Sequence, residues 1–163
     1  MRCQPFALSW GPRARNGPRR GKWSEDGGNI KGVLDVTRVL SVDDDEAIRE
    51  TMRFALEDSG FSVDEAADGL AALRALRGVR APMVVLLDLM MPGLDGAGVV
   101  GSIAADQSLA RRVAVVLITA SSRTLPLAFV NLLTDLSVPV INKPFDVDKL
   151  IAAVTQAAHR LAS

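Results

Sequence analysis

The sequence of 163 residues contains one cysteine, Cys3, one histidine, His159, and no tyrosine. A single thiol forms neither an intramolecular disulfide nor a Cys-rich metal site, so both classes are excluded. No apolar run approaches the ~20 residues that span a bilayer, which excludes a membrane-spanning helix. With 48% hydrophobic residues, the chain has the composition of one soluble globular domain. We expect it in a reducing cytoplasm, without a membrane partner.

Residues 1–35 differ in composition from the rest of the chain. They hold three of the eight prolines, six of the thirteen glycines, and seven Lys/Arg against three acids. Because they show no helical or strand period, we expect a disordered basic extension, followed by the folded domain over residues 36–163. Three alternatives stay open for the extension: a basic arm for nucleic acid or anionic lipid, a tail without a role, or an upstream start codon wrongly chosen. The remainder is mildly acidic, so nucleic acid is not expected to bind the domain directly.

Short apolar runs alternate with amphipathic stretches five times after residue 36. Two of these runs, residues 83–87 and 113–118, are nearly continuous and typical of parallel strands that are buried on both faces. Five consecutive βα units predict an α/β domain with a doubly wound five-stranded parallel sheet, in the flavodoxin-like strand order 2-1-3-4-5. The predicted strands are residues 37–42, 61–66, 83–88, 112–118 and 138–142.

Aspartates stand where the helices of this pattern should begin. Asp45, Asp68, Asp95 and Asp146 each precede a stretch of helical spacing. Aspartate is favoured there because its carboxylate accepts hydrogen bonds from unpaired N–H groups of the first turn. We therefore expect these four residues to be helix caps or first-turn acids.

Other acids follow the first and third predicted strands, namely Asp43 and Asp44 after the first and Asp88 after the third. In a sheet of order 2-1-3-4-5, the strand order reverses between strands one and three, and ligands bind beyond the carboxyl ends of the strands at that point. Thr119 and Lys143 follow the fourth and fifth strands. The sequence therefore predicts a site that contains three acids, one hydroxyl and one lysine.

The charges of these acids indicate what the site binds. Two carboxylates roughly 5–6 Å apart repel by about 3 kcal/mol at an effective dielectric near 20, and a hard divalent cation removes that repulsion. Since the ligands are oxygens only, Mg²⁺ is the preferred cation. Lys143 and Thr119 are suited to a phosphoryl group, and Asp88 is the central candidate for the carboxylate that attacks it.

These residues resemble the receiver domain of two-component response regulators over roughly residues 36–160. The resemblance implies that Asp88 accepts a phosphoryl group from a phosphohistidine on a sensor histidine kinase or a histidine phosphotransfer protein. It also implies that Thr119 moves toward the phosphoryl oxygens, that Lys143 pairs with them, and that the Lys143–Pro144 bond is cis. The matching motifs are VLSVDDD at 39–45, LDLMMPGLDG at 87–96, LITA at 117–120 and KPF at 143–145.

The same resemblance implies a ligand set for Mg²⁺. Asp44 and Asp88 would bind the ion through their carboxylates, and Met90 through its backbone carbonyl. Asp43 would assist through a water molecule. Asp45 stays a helix cap, and His159 an exposed helix residue.

The sequence departs from the family pattern at positions that affect signal output. The position three before Lys143, commonly a switch aromatic, is Val140, which cannot make a large rotamer change. Met90 and Ser121 stand where the family tunes phosphoaspartate hydrolysis, and an apolar Met90 leads us to expect a long-lived phosphorylated state. Residues 125–133 are more apolar than one buried helix stripe requires. This leaves open a binding face, a homodimer face over 125–136, or a locally rearranged core.

These observations predict a signalling switch rather than an enzyme. We expect no output domain, so the phosphorylated surface would engage an unknown downstream protein or pass the phosphoryl group along a relay. The alternative is a phosphorylation-independent pseudo-receiver that serves as an interaction module, which Val140 favours. A third possibility, an aspartate-nucleophile phosphatase, is disfavoured because Met90 stands where that class has a second acid.

Overall fold

The computed structural model describes residues 37–120 and 125–163. The predicted disordered extension and Ser121 lie outside these ranges. The strands are β1 (Arg38–Val42), β2 (Ser62–Ala66), β3 (Met83–Asp88), β4 (Val113–Thr119) and β5 (Val140–Asn142). The helices are α1 (Glu46–Asp58), α2 (Gly69–Arg77), α3 (Gly96–Ala105), α4 (Gln107–Ala110), α5 (Leu127–Asp135) and α6 (Val147–Ala162).

The five strands form one parallel sheet in the order β2-β1-β3-β4-β5, which confirms the predicted fold class and strand order. The register aligns Val42 with Leu87, and it places Thr119 opposite Asn142. The carboxyl ends of β1, β3, β4 and β5 therefore lie along one edge of the sheet. Among the residues described, no helix is long and apolar enough to span a membrane.

The central strand β3 explains why the sheet carries helices on both faces. All six of its residues are buried. Val85 and Leu87 pack into a core with α2, α3 and α5, whereas Val84 and Leu86 pack into a second core with α1 and α6. Because burial of each such side chain contributes about 1.5–3 kcal/mol, an uninterrupted apolar run is stable only between two helical layers.

The four predicted capping aspartates are confirmed. Asp45 accepts a hydrogen bond from the N–H of Ala47, and Asp68, Asp95 and Asp146 likewise accept bonds from first-turn N–H groups. These bonds satisfy donors that have no partner within the helix.

The prediction of five helices was incomplete, because the described residues contain a sixth, the short α4. Asp106 has extended backbone angles (φ −102°, ψ 102°), so it ends α3. Its carboxylate then accepts hydrogen bonds from the N–H groups of Ser108 and Leu109 and begins α4. A one-turn helix has no hydrophobic period of its own, which is why the sequence pattern did not reveal it.

Helix α5 divides its apolar residues between the core and the surface. Leu133 is buried, and Phe129 and Leu132 pack against the same core. Leu127 is 74% exposed and Val130 is 39% exposed. The excess apolar character predicted for this segment is thus partly on the protein surface.

Candidate functional site

The predicted acids meet at the carboxyl edge of the sheet. Oxygen atoms of Asp43, Asp44 and Asp88 all lie within 4.8 Å of one another. Asp43 and Asp88 are buried, whereas Asp44 is exposed. The cluster therefore has two desolvated carboxylates and one that faces solvent.

The loop between β1 and α1 fixes the first two acids. The N–H of Asp43 donates to the carbonyl of Ala66 at 3.3 Å, which continues the pairing with β2. The N–H of Asp45 donates to the Asp43 carboxylate at 2.9 Å. The guanidinium of Arg49, in the first turn of α1, donates to the Asp43 carbonyl at 2.7 Å. This loop is consequently held by a hydrogen bond to β2, a hydrogen bond between two of its own residues, and a hydrogen bond from α1.

Lys143 connects the acids across the sheet. Its Nζ lies 2.8 Å from Oδ2 of Asp43 and 3.1 Å from Oδ1 of Asp88. The N–H of Lys143 donates to the Thr119 carbonyl at 2.7 Å, and the Lys143–Pro144 bond is cis, as the resemblance implied. Burial alone would lower the pKa of Lys143, but the hydrogen bonds to Asp43 and Asp88 outweigh it and raise the pKa above the usual 10.5. The lysine thus stays charged at neutral pH.

Asp88 is unfavourably placed for carrying a negative charge. Burial raises its pKa above the usual 3.8, and the negative charges of Asp43 and Asp44 raise it further. Lys143 opposes this shift through its hydrogen bond and charge without cancelling it. Ionised Asp88 is therefore destabilised in the metal-free protein, and it gains from any second cation near it.

The raised pKa of Asp88 has a measurable effect on stability. An acid with a raised pKa binds more protons in the folded protein than in the unfolded chain, so its contribution to stability falls as pH rises through that pKa. We expect Asp88→Asn to stabilise the metal-free protein at about pH 7. The gain in stability should shrink as the pH is lowered toward 3.8, the usual pKa of an aspartate. Urea unfolding with a chelator, at a series of pH values, measures this. A gain that stays constant with pH would contradict the expectation.

The remaining predicted residues lie next to the acids. Thr119 is buried at the end of β4, and the neighbouring Ile118 carbonyl accepts a hydrogen bond from the N–H of Leu89, just after Asp88. Met90 is 69% exposed in the loop that follows Asp88. The loop after β3 is thus attached to the end of β4.

Sequence reasoning missed Arg49. Its position one helical turn after Asp45 was a usable signal, because side chains of a helix lean toward its N-terminus and so toward the preceding loop.

The residues present suit a divalent cation. The three carboxylates supply only oxygen ligands, which hard cations prefer, and Asp44 faces solvent, from which water ligands are available. Asp43 and Asp88 are already bridged by one cationic group, Lys143. A cation at this place would therefore relieve a repulsion that the lysine relieves only in part.

The parallel sheet and its acidic edge agree with the match of this chain to a known protein family. The family model of the response regulator receiver domain matches residues 39–155, and the chain belongs to this family. Receiver domains are signalling domains of two-component systems, generally phosphorylated on aspartate and generally able to bind Mg²⁺ at an acidic pocket.

Several relatives support this assignment. The transcriptional regulatory protein CseB of Streptomyces coelicolor is 38% identical over 132 residues, which cover 78% of this chain and 52% of CseB. The DNA-binding response regulator MtrA of Mycobacterium tuberculosis is 36% identical over 123 residues, covering 76% of this chain and 51% of MtrA. The chain thus spans about half the length of these curated relatives.

Solved structures agree with the fold. A CheY-like receiver domain from Methanospirillum hungatei superposes with a TM-score of 0.67 at 33% identity, covering 77% of this chain and 96% of that one. The receiver domain of a Francisella response regulator gives a TM-score of 0.66 at 28% identity, covering 76% of this chain and 98% of that one.

Proposed function

We propose that this chain is a cytoplasmic phosphorylation-dependent switch in which Asp88 is the phosphoacceptor. The observation that carries the proposal is the convergence of Asp43, Asp44 and Asp88 within 4.8 Å, with Lys143 in contact with two of them. Such a cluster is suited to a phosphoryl group and its counter-ion. The phosphoryl donor would be a sensor histidine kinase or a histidine phosphotransfer protein.

In the proposed reaction, a carboxylate oxygen of Asp88 attacks phosphorus while the bond from phosphorus to the donor's imidazole nitrogen breaks. The imidazole leaves with the electron pair and takes up a proton, and Asp88 becomes an acyl phosphate. Lys143 shifts its ion pair from the Asp88 carboxylate to the new phosphoryl oxygens. The hydroxyl of Thr119 donates to the same oxygens.

Asp44, Asp88 and the backbone carbonyl of Met90 would hold Mg²⁺, with Asp43 assisting through water. When bound, the ion neutralises charge on the phosphoryl oxygens. Asp43 also keeps a contact with Lys143, so it links the cation site to the phosphoryl site. The protein's contribution is the placement of these groups before the donor arrives.

Incubation of the full chain with acetyl phosphate and Mg²⁺ tests this function. We expect an acid-stable, hydroxylamine-labile phosphoryl adduct that Asp88→Asn abolishes. Metal binding without an adduct would instead favour the pseudo-receiver, which the half-buried Val140 supports because it leaves the site without an aromatic switch. Steady turnover of phosphate esters would favour a hydrolase.

Because residue 90 is methionine, we expect a long lifetime for the phosphoryl adduct on Asp88. Its exposed apolar side chain stands two residues after Asp88, where it hinders the water that hydrolyses the acyl phosphate. Met90→Asn should therefore speed the loss of phosphate from the purified adduct by about tenfold, because an amide orients water that methionine excludes. Met90→Leu, which keeps an apolar side chain, is the control and should leave the lifetime unchanged. Equal lifetimes in all three proteins would contradict this role.

Output would occur through protein contact or a phosphorelay, to a downstream partner of unknown identity. We further propose a homodimer through residues 125–136, on the basis of the exposed Leu127 and Val130 and of an apolar groove of about 460 Å³ between α5 and β5. Sedimentation of the phosphorylated chain tests it. Leu127→Glu should abolish a dimer that the wild type forms.

A further inference from the structure

Arg49 makes contacts that the proposed reaction does not use. Its side chain is 14% exposed, which is low for an arginine on an outer helix. Nη1 donates to the backbone carbonyl of Asp43 at 2.7 Å, and Nε lies 3.5 Å from Oε1 of Glu65 on β2. One planar guanidinium thus connects the loop that carries two acids of the site to the neighbouring strand.

The carbonyl that Arg49 binds belongs to the peptide between Asp43 and Asp44. Because a peptide unit is planar, fixing this carbonyl also fixes the direction of the Asp44 N–H and restricts the Asp44 backbone. Asp44 is the exposed acid of the cluster, so its side chain has the least packing to hold it. The contact from Arg49 acts on the backbone next to this exposed acid.

We propose that Arg49 is a positioning residue for the divalent cation site, which sets the orientation of Asp44 by clamping the Asp43 carbonyl against Glu65. This inference rests on the proposed function. In this role Arg49 would contact neither the cation nor the phosphoryl group. It acts through the peptide, as groups that orient metal ligands commonly do.

Arg53 provides a matched comparison. It lies one turn further along α1, carries the same charge, and contacts the same Glu65 through Nε at 3.3 Å. Its other ion pairs are with Glu50 and Glu57, on its own helix. Removal of either arginine therefore deletes one positive charge and one contact with Glu65, but only Arg49 binds the loop.

The test measures Mg²⁺ affinity by calorimetry for the full-length wild type, Arg49→Met, Arg49→Lys and Arg53→Met, with a thermal melt of each. We expect Arg49→Met to raise the Kd for Mg²⁺ about tenfold. Arg49→Lys should recover part of the loss, because an ammonium still donates to a carbonyl. Arg53→Met should stay within about twofold of the wild type, since its partly exposed ion pairs do not involve the loop that carries the acids.

Phosphorylation by acetyl phosphate separates positioning from damage to the site. At limiting Mg²⁺ the Arg49→Met adduct should form slowly, and at saturating Mg²⁺ the wild-type rate should return. An Arg49→Met protein that binds Mg²⁺ like the wild type overturns the inference, and so does an equal loss in Arg53→Met. If the wild type itself binds no Mg²⁺ and forms no adduct, the proposed function is wrong, and so is this inference, which rests on it.

Discussion

Replacing Gly96 with alanine should destabilise the protein by about 3 kcal/mol and impair phosphorylation of Asp88. A Cβ on Gly96 would lie 2.5 Å from the carbonyl oxygen of Asp88 and 2.8 Å from the Cα of Leu89. Both are backbone atoms, which cannot rotate away. The N–H of Gly96 also donates to the Leu89 carbonyl at 2.9 Å, so α3 begins directly against the phosphoacceptor loop. Relief of the clash must therefore move that loop or the start of α3.

Gly101→Ala is the matched control for this substitution. Gly101 lies in the same helix, and a Cβ there meets no atom within 4 Å. Because alanine is the better helix former, Gly101→Ala should stabilise the protein by about 0.5–1 kcal/mol. Urea unfolding and the yield of the acetyl phosphate adduct measure both effects. A Gly96→Ala protein as stable and as reactive as the wild type would show that the contact between α3 and the loop is unimportant.

Replacing Lys143 with methionine should tighten Mg²⁺ binding about tenfold while it weakens the metal-free protein. The ammonium contacts the two buried acids at 2.8 and 3.1 Å, so it competes with a cation for the same carboxylates. Without it, three carboxylates within 4.8 Å have no ammonium partner among residues 37–120 and 125–163. Because the side chain of Lys143 is partly exposed, we expect the loss of stability to be about 1–3 kcal/mol, less than for a fully buried pair.

Added Mg²⁺ should restore most of that stability, because the ion supplies the missing positive charge. The rate of adduct formation should nevertheless fall, since the methionine cannot pair with the phosphoryl oxygens. Lys149→Met, an exposed position on α6, is the control and should change neither property. Calorimetric titration and chemical unfolding with and without Mg²⁺ measure these effects. An unchanged Mg²⁺ affinity in Lys143→Met would contradict competition between the lysine and the ion.

The sheet was predictable because its signals are local and repeated. Residues 83–87 form a continuous apolar run, so both faces of this strand are expected to be buried. The structure buries all five residues. The convergence of Asp43 and Asp88 followed from one rule of parallel topology, that strands one and three are neighbours where the order reverses.

Other features depend on distances that a sequence does not contain. The ion pairs of Lys143 with Asp43 and Asp88, which are 100 and 55 residues away in the chain, were not predicted. The clamp by Arg49 depends on Glu65 from another strand. The helix α4 is too short for any periodic signal. Each of these features is decided by tertiary contacts, because the local sequence is compatible with several arrangements.

Val140 sets the limit of what the family resemblance implies about output. It pairs with Leu117 at the start of β5 and lines the groove beside α5. A valine has no inward and outward positions comparable to those of an aromatic ring. If the phosphoryl signal reaches this face, it cannot do so through an aromatic ring at position 140, because that residue is valine.

The central claim is that Asp88 is the residue that accepts the phosphoryl group. After reaction with acetyl phosphate and Mg²⁺, reduction with borohydride converts an aspartyl phosphate to homoserine, which peptide mass spectrometry locates in the chain. The account predicts homoserine at position 88 in the wild type, at high occupancy with Mg²⁺ and at a trace without it. Homoserine at Asp43 or Asp44, or at none of the three positions, would contradict it.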